Sequence, residues 1–299
     1  MTAEDAFSAV ASKYGDRFDA EVLEATAGHW RARMEQPQAA HPPFIKDLAY
    51  GEHPRHRLDL FPVKGEGAPV VLFVHGGGFV AGDKHGAPPF YANVGRYFAA
   101  HGILGICMNY RLAPAHGWPA GAQDLEQAVQ WILQRAEFYG GDASRLVVLG
   151  QSAGASHVAT WLFHPDFGAG ARNSVKAAIL MSGFYQAKAP LSPPQRAYFG
   201  SDESAYRDRS PLAHARAMPQ ALLVTLAEHD QGYIRAHGHE LTGALAAAGA
   251  TASHLDFAGH NHVSPLMSLG SDNDAVGLQL RRFISQSTGG AHAEARSLH

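Results

Sequence analysis

Val70-Val71-Leu72-Phe73-Val74-His75-Gly76-Gly77-Gly78-Phe79 runs an apolar strand straight into three glycines, and Leu146-Val147-Val148-Leu149-Gly150-Gln151-Ser152-Ala153-Gly154 repeats the pattern later in the chain. The second stretch fits Gly-x-Ser-x-Gly, the sharp strand-to-helix turn that lifts a serine hydroxyl above a sheet. The first fits the His-Gly-Gly-Gly loop whose backbone N–H groups face a developing oxyanion. With 32 glycines in the chain, the serine spacing alone could arise by chance. Its context argues otherwise. A short buried strand precedes it, residues 155–163 read as a helix, and the His-Gly-Gly-Gly loop lies upstream.

The rest of the chain is compatible with an enzyme built on that turn. Its 299 residues suit one large α/β domain or two small ones, and a hydrophobic content of 46% fills a core. A net charge of -3 favours neither nucleic acid nor an anionic membrane surface. No apolar run is long enough to span a bilayer, and the acidic start Met1-Thr2-Ala3-Glu4-Asp5 lacks the regions of a signal peptide. Cys107 is the single cysteine, so an internal disulfide is excluded; its apolar surroundings, residues 103–108, mark it as a small core residue. A cytoplasmic setting is expected. The expected partner is a small-molecule ester or amide substrate, with no nucleic acid, no membrane and no cofactor; a homodimer is a compatible assembly.

Strand and helix signals alternate along the chain, which predicts an α/β fold: a mostly parallel central sheet with helices on both faces. Residues 18–34 have helical spacing, and 36–43 form a proline-containing linker. Residues 57–61 alternate like an edge strand, ended by Pro62. Strands are expected at 70–74 (central), 104–110, 146–149, 177–181, 221–226 and 253–257. Helices are expected at 88–101, 123–138, 234–248 and 274–285. The organisation that follows is an N-terminal helical cap segment (1–43), a catalytic domain (44–287) with a cap insertion at 186–211, and a mobile tail (288–299).

A serine hydroxyl needs a base to take its proton, usually a histidine oriented by a carboxylate. Where the serine sits on a strand-to-helix elbow of this kind, the acid and then the histidine follow it in the chain, each on a loop after a strand. The strand 221–226 leads into Ala227-Glu228-His229-Asp230, and 253–257 leads into Ala258-Gly259-His260-Asn261-His262. Both loops fall at the sheet edge that presents Ser152, where open α/β sheets place ligands. Asp230 is preferred over Glu228 because it lies deeper in its loop and has the shorter side chain. His262 is preferred over His260 because it lies farther out on its loop, before Val263. Ala153, Gly77 and Gly78 are the expected oxyanion donors, and His75 is expected to hold the loop by hydrogen bonds.

These residues give the chain its resemblance. It resembles the α/β-hydrolase superfamily, and within it the hormone-sensitive-lipase-like carboxylesterases, on His75-Gly76-Gly77-Gly78-Phe79, Asn109-Tyr110-Arg111-Leu112-Ala113-Pro114, Trp118-Pro119-Ala120 with Asp124, and Gly150-Gln151-Ser152-Ala153-Gly154. It is also similar to the arylformamidase-like branch, on Tyr50-Gly51 with Leu58-Asp59-Leu60, Gly82-Asp83-Lys84, Ser210-Pro211-Leu212 and Asn261-His262. The resemblance implies an α/β-hydrolase fold with Ser152, Asp230 and His262 as the triad. It also implies that Asp124 is a structural carboxylate supporting the nucleophile region. Hydrolysis of small to medium acyl esters is the leading expectation, and N-formyl aryl amides are the alternative substrates.

The substrate is expected between the sheet edge and the cap, with Phe79, Phe184, Tyr185, Tyr198 and Phe199 as candidate walls. Two other functional classes fit the residues less well. Among the 19 histidines, His237-Gly238-His239 and His260-Asn261-His262 have a two-residue spacing. No ligand cluster accompanies them, and residues two apart on a helix face different ways, so no metal is expected. A non-catalytic ligand-binding protein on the same fold would have lost a triad residue, whereas here every position can be filled.

Overall fold

The computed structural model describes residues 2–35, 44–86 and 90–289. Its frame is one eight-stranded sheet in the order β1-β2-β4-β3-β5-β6-β7-β8. The strands are β1 (Ile45–Ala49), β2 (Arg57–Phe61), β3 (Ala68–Val74), β4 (Leu104–Met108), β5 (Gly141–Gln151), β6 (Val175–Met181), β7 (Ala221–His229) and β8 (Ala252–Asn261). From β4 onward across the sheet all pairings are parallel, while β1 and β2 run antiparallel. The apolar runs of β3, β4 and β5 are buried on both faces, as central parallel strands must be.

Nine α-helices accompany the sheet among the described residues: α1 (Ala3–Tyr14), α2 (Ala20–Glu35), α3 (Ala92–Ala100), α4 (Ala120–Arg135), α5 (Ala153–Phe163), α6 (Pro193–Phe199), α7 (Gly232–Ala247), α8 (Ser264–Met267) and α9 (Ala275–Ser287). Two apolar clusters lie on opposite faces of the sheet. One joins Leu72, Val148 and Leu180 to α4 and α5; the other joins Phe73, Leu149 and Ile179 to α3 and α9. The α/β expectation with helices on both faces is thereby met.

Three local expectations change. The strand at Arg57–Phe61 is not an edge, because β1 pairs outside it. Its Asp59 is fully buried and receives Lys84 Nζ at 2.9 Å, so an alternating pattern here does not mean a wet face. The N-terminal segment holds two helices rather than one: α1, capped by Thr2 and Asp5, precedes the turn at residues 15–19. Phe7 and Ala11 of α1 and Trp30 and Met34 of α2 pack with Val263 and Met267, so the pair sits on the segment that follows β8. The helix expected at 88–101 begins only at Ala92. The linker 36–43, residues 88–89 and the tail beyond 289 lie outside the described residues.

Candidate active site

Gly150, Ser152 and Gly154 form the turn between β5 and α5. Ser152 has φ 55 and ψ -121, a conformation that costs an ordinary residue strain and is held here by its neighbours. Its N–H donates to Met181 O at 2.8 Å. A Cβ on Gly150 would strike the Gly154 carbonyl and Ala155 backbone, and one on Gly154 would strike the Val74 carbonyl. The two glycines therefore allow β5, α5 and β3 to close around the serine.

Ser152 Oγ lies 2.9 Å from His262 Nε2, and His262 Nδ1 lies 2.6 Å from Asp230 Oδ1. The other carboxylate oxygen, Asp230 Oδ2, accepts from Ser182 Oγ at 2.6 Å and from Ala227 N at 2.7 Å. With Nδ1–H donating to the carboxylate, Nε2 is left as the acceptor facing Oγ. All three side chains come from loops at the carboxyl ends of β5, β7 and β8.

The rival acid and base have other partners. Glu228 is exposed, and its Oε2 accepts from Gly259 N at 2.7 Å, so it braces the loop before the histidine. His260 is buried, its Nδ1 pairs with Ser264 Oγ at 2.9 Å, and burial lowers its pKa to about 4.

The glycine loop is fixed from behind. His75 is buried, with Nδ1 2.6 Å from Gly76 O and Nε2 3.2 Å from Asn109 Oδ1; desolvation lowers its pKa to about 4, so it is neutral at working pH. Asn109 also receives Lys84 N at 2.6 Å and donates to Asp83 at 2.6 Å, and Tyr110 Oη donates to His75 O at 2.8 Å. Gly77 has φ 130, and a Cβ there would strike the Ala81 carbonyl. Gly77, Gly78 and Ala153 all border the cleft at Ser152. Ala153 is the first residue of α5, so its N–H has no intrahelical acceptor and sits at the positive end of the helix dipole.

That cleft has a volume of about 540 Å³. Phe79 and Phe184 line it, together with Phe18, Leu23, Phe90, Tyr233 and Val263. Among the described residues that line it none is Asp, Glu, Lys or Arg. The other three candidate walls are elsewhere. Tyr185 is in the main core beside the sheet. Tyr198 stacks on the far side of Phe79 (centroids 4.5 Å, 10° between planes), and Phe199 meets Phe79 edge-on at 5.4 Å. Both are buried in an apolar cluster that also holds Phe79, Ala153 and Leu226, and neither borders the cleft. Asp124 is fully buried and serves the segment after β4: it accepts from Arg111 N and Nε, each at 2.7 Å, with His56 Nε2 3.1 Å away.

Four residues contribute in roles that no motif assigned to them. Ser182 holds the acid, Gln151 Nε2 donates to His262 O at 3.0 Å, and Asn261 Nδ2 donates to Thr26 Oγ1 of α2 at 2.8 Å. Phe18, in the turn between α1 and α2, sets its ring edge-on to the His262 imidazole at 4.7 Å.

Fold and site together define a member of the α/β-hydrolase superfamily. The BD-FAE family model matches residues 58–163, and the model of the prolyl oligopeptidase family matches residues 119–286, more than half of the chain. The chain belongs to the prolyl oligopeptidase family. The resemblance to hormone-sensitive-lipase-like carboxylesterases also holds among curated relatives. A probable isoprenylcysteine alpha-carbonyl methylesterase of Oryza sativa is 39% identical over 121 residues, 40% of this chain and 28% of that protein. Esterase LipC of Mycobacterium tuberculosis is 32% identical over 163 residues, 51% of this chain and 39% of that protein. The chain thus spans well under half the length of these relatives in the matched regions. Among solved structures, esterase B of Lactobacillus rhamnosis superposes with a TM-score of 0.73 at 18% identity, covering 96% of both chains, which shows a shared fold.

Proposed function

We propose that this chain is a serine carboxylic-ester hydrolase for uncharged esters with small to medium acyl groups. The observation that carries the reading is the unbroken relay from Ser152 Oγ through His262 to Asp230, opening into a cleft with uncharged walls. Esterases among its relatives give it further support.

In this reading His262 Nε2 takes the Ser152 proton as Oγ attacks the ester carbonyl carbon. The carbonyl oxygen gains negative charge and is received by N–H groups of Gly77, Gly78 and Ala153. One such donor is worth roughly 3 kcal/mol in the transition state. Asp230 orients the imidazole and stabilises its positive charge. The C–O bond to the alcohol then breaks, His262 hands the proton to the leaving oxygen, and the acyl group stays on Ser152. Water, deprotonated by His262, attacks the acyl-enzyme and releases the acid.

Hydrolysis of an aryl formamide could use the same relay, and the arylformamidase-like motifs favour it as a second reading. N-formylkynurenine carries an α-ammonium and a carboxylate, for which the described residues of the cleft wall include no Asp, Glu, Lys or Arg. Uncharged esters are therefore preferred. A cytoplasmic setting belongs to the same reading, supported by the single buried thiol of Cys107.

The test is a matched panel, p-nitrophenyl acetate through octanoate beside N-formylkynurenine, with wild type and Ser152→Ala. Ester turnover that vanishes in the variant is expected. Dominant formamide cleavage would transfer the assignment to the second reading, and serine-independent or absent turnover of both would refute the mechanism.

A further inference from the structure

Helix α5 carries Ser152 at its N-terminus and His164 just past its C-terminus, roughly 18 Å along the axis. The His164 imidazole is 4% exposed and faces Asp208 and His214, at the end of the cap insertion and the 3-10 helix Pro211–His214. His164 Nε2 is buried with no hydrogen-bond partner. It lies 3.6 Å from Asp208 Oδ1, and His214 Nε2 lies 3.8 Å from the same oxygen. The three ligand atoms are all within 4.8 Å of one another.

These separations are too long for hydrogen bonds. They approach the edge of a tetrahedron built on metal bonds of about 2.0–2.2 Å, which is about 3.4 Å. Two imidazoles and one carboxylate form a donor set suited to zinc. We propose that His164, Asp208 and His214 form a binding site for a zinc-class divalent cation, with water completing the tetrahedron.

Further features of the site bear on this. Asp166 Oδ2 is 3.9 Å from His164 Nδ1, placed to accept the proton that nitrogen carries when Nε2 binds a metal. The Asp208 side chain is 65% exposed, so an ion can enter from solvent. Binding replaces two hydrogen bonds of the metal-free chain, from Asp166 N to His164 Nδ1 (3.2 Å) and between His214 Nε2 and Asp208 O (2.7 Å). The ion takes no part in the chemistry at Ser152. It ties the far end of the nucleophile's helix to the cap segment, and the proposal stands whatever the substrate is.

The experiment is isothermal titration of the tag-free, chelator-stripped full chain with Zn²⁺, with Co²⁺ absorption as a report on tetrahedral geometry. One equivalent is expected to bind with a tetrahedral Co²⁺ spectrum. Asp208→Asn and His214→Ala should each weaken binding about 100-fold, and His239→Ala should leave it unchanged. Because Asp208 is exposed, Asp208→Asn keeps the test decisive even if His214→Ala fails to fold. No binding by the parent chain, or an undiminished equivalent in Asp208→Asn, would overturn the proposal.

Discussion

The side-chain amide of Gln151 donates to the main-chain carbonyl of His262 at 3.0 Å. The residue before Ser152 thus holds the loop that carries His262, and Tyr91 Oη, 3.2 Å from Gln151 Oε1, fixes the amide in turn. Gln151→Ala should lower kcat roughly 10- to 100-fold with little change in KM, since the effect is one of geometry at the relay. Steady-state kinetics on a p-nitrophenyl ester measures this; a wild-type kcat would remove Gln151 from the positioning role.

The two acidic residues at the carboxyl end of β7, Glu228 and Asp230, should differ sharply. Asp230→Asn puts an amide donor where the carboxylate accepted from His262 Nδ1–H, favours the wrong imidazole tautomer and should cost about 10⁴-fold in kcat. Glu228→Gln leaves an acceptor for Gly259 N and should change kcat less than about 3-fold. Parallel kinetics of the two variants decide it, and the opposite ranking would refute the assignment of the acid.

Thr26 of α2 is fully buried and accepts from Asn261 Nδ2, beside the base. Thr26→Val leaves that amide donor buried without its acceptor, which should cost about 1–3 kcal/mol. Urea unfolding reads the loss as a lower midpoint at unchanged slope. An unshifted midpoint would mean that the N-terminal helices do not brace the His262 loop.

Acid should destabilise the fold through histidines that burial keeps neutral. Desolvation lowers His75 and His260 to about 4 and His157 to about 3, against an ordinary value of 6.5. Between pH 6.5 and about 4 the unfolded chain binds protons that the fold refuses. Their stabilisation is therefore complete above 6.5 and declines as the pH falls through that window. Denaturant midpoints at pH 7.5 and pH 5 should show the fall, and His157→Phe should make it shallower. A midpoint that rises on acidification would contradict the sign.

The parts of this molecule that follow from chain-local chemistry were legible in its sequence. β3 and β5 announce themselves as apolar runs ending in glycine turns, because a central parallel strand needs apolar side chains on both faces. β1 does not: Lys46 and Asp47 interrupt it, Asp47 has φ 58, and its register shifts against β2. Asp59 misled the reading of β2 because its buried partner, Lys84, is remote in sequence. The five candidate wall residues divide for a related reason. Phe184 and Tyr185 are neighbours in the chain, yet one faces the cleft and the other the core, and only the packed backbone decides which. Phe18 and Ser182 reach the site from a turn and a strand end that carry no motif.

The most direct test of the central claim is labelling with a fluorophosphonate followed by peptide mapping. One adduct per chain is predicted, on Ser152, absent from Ser152→Ala and much slower to form in His262→Ala. No adduct, or an adduct on another residue with Ser152 unmodified, would contradict the account.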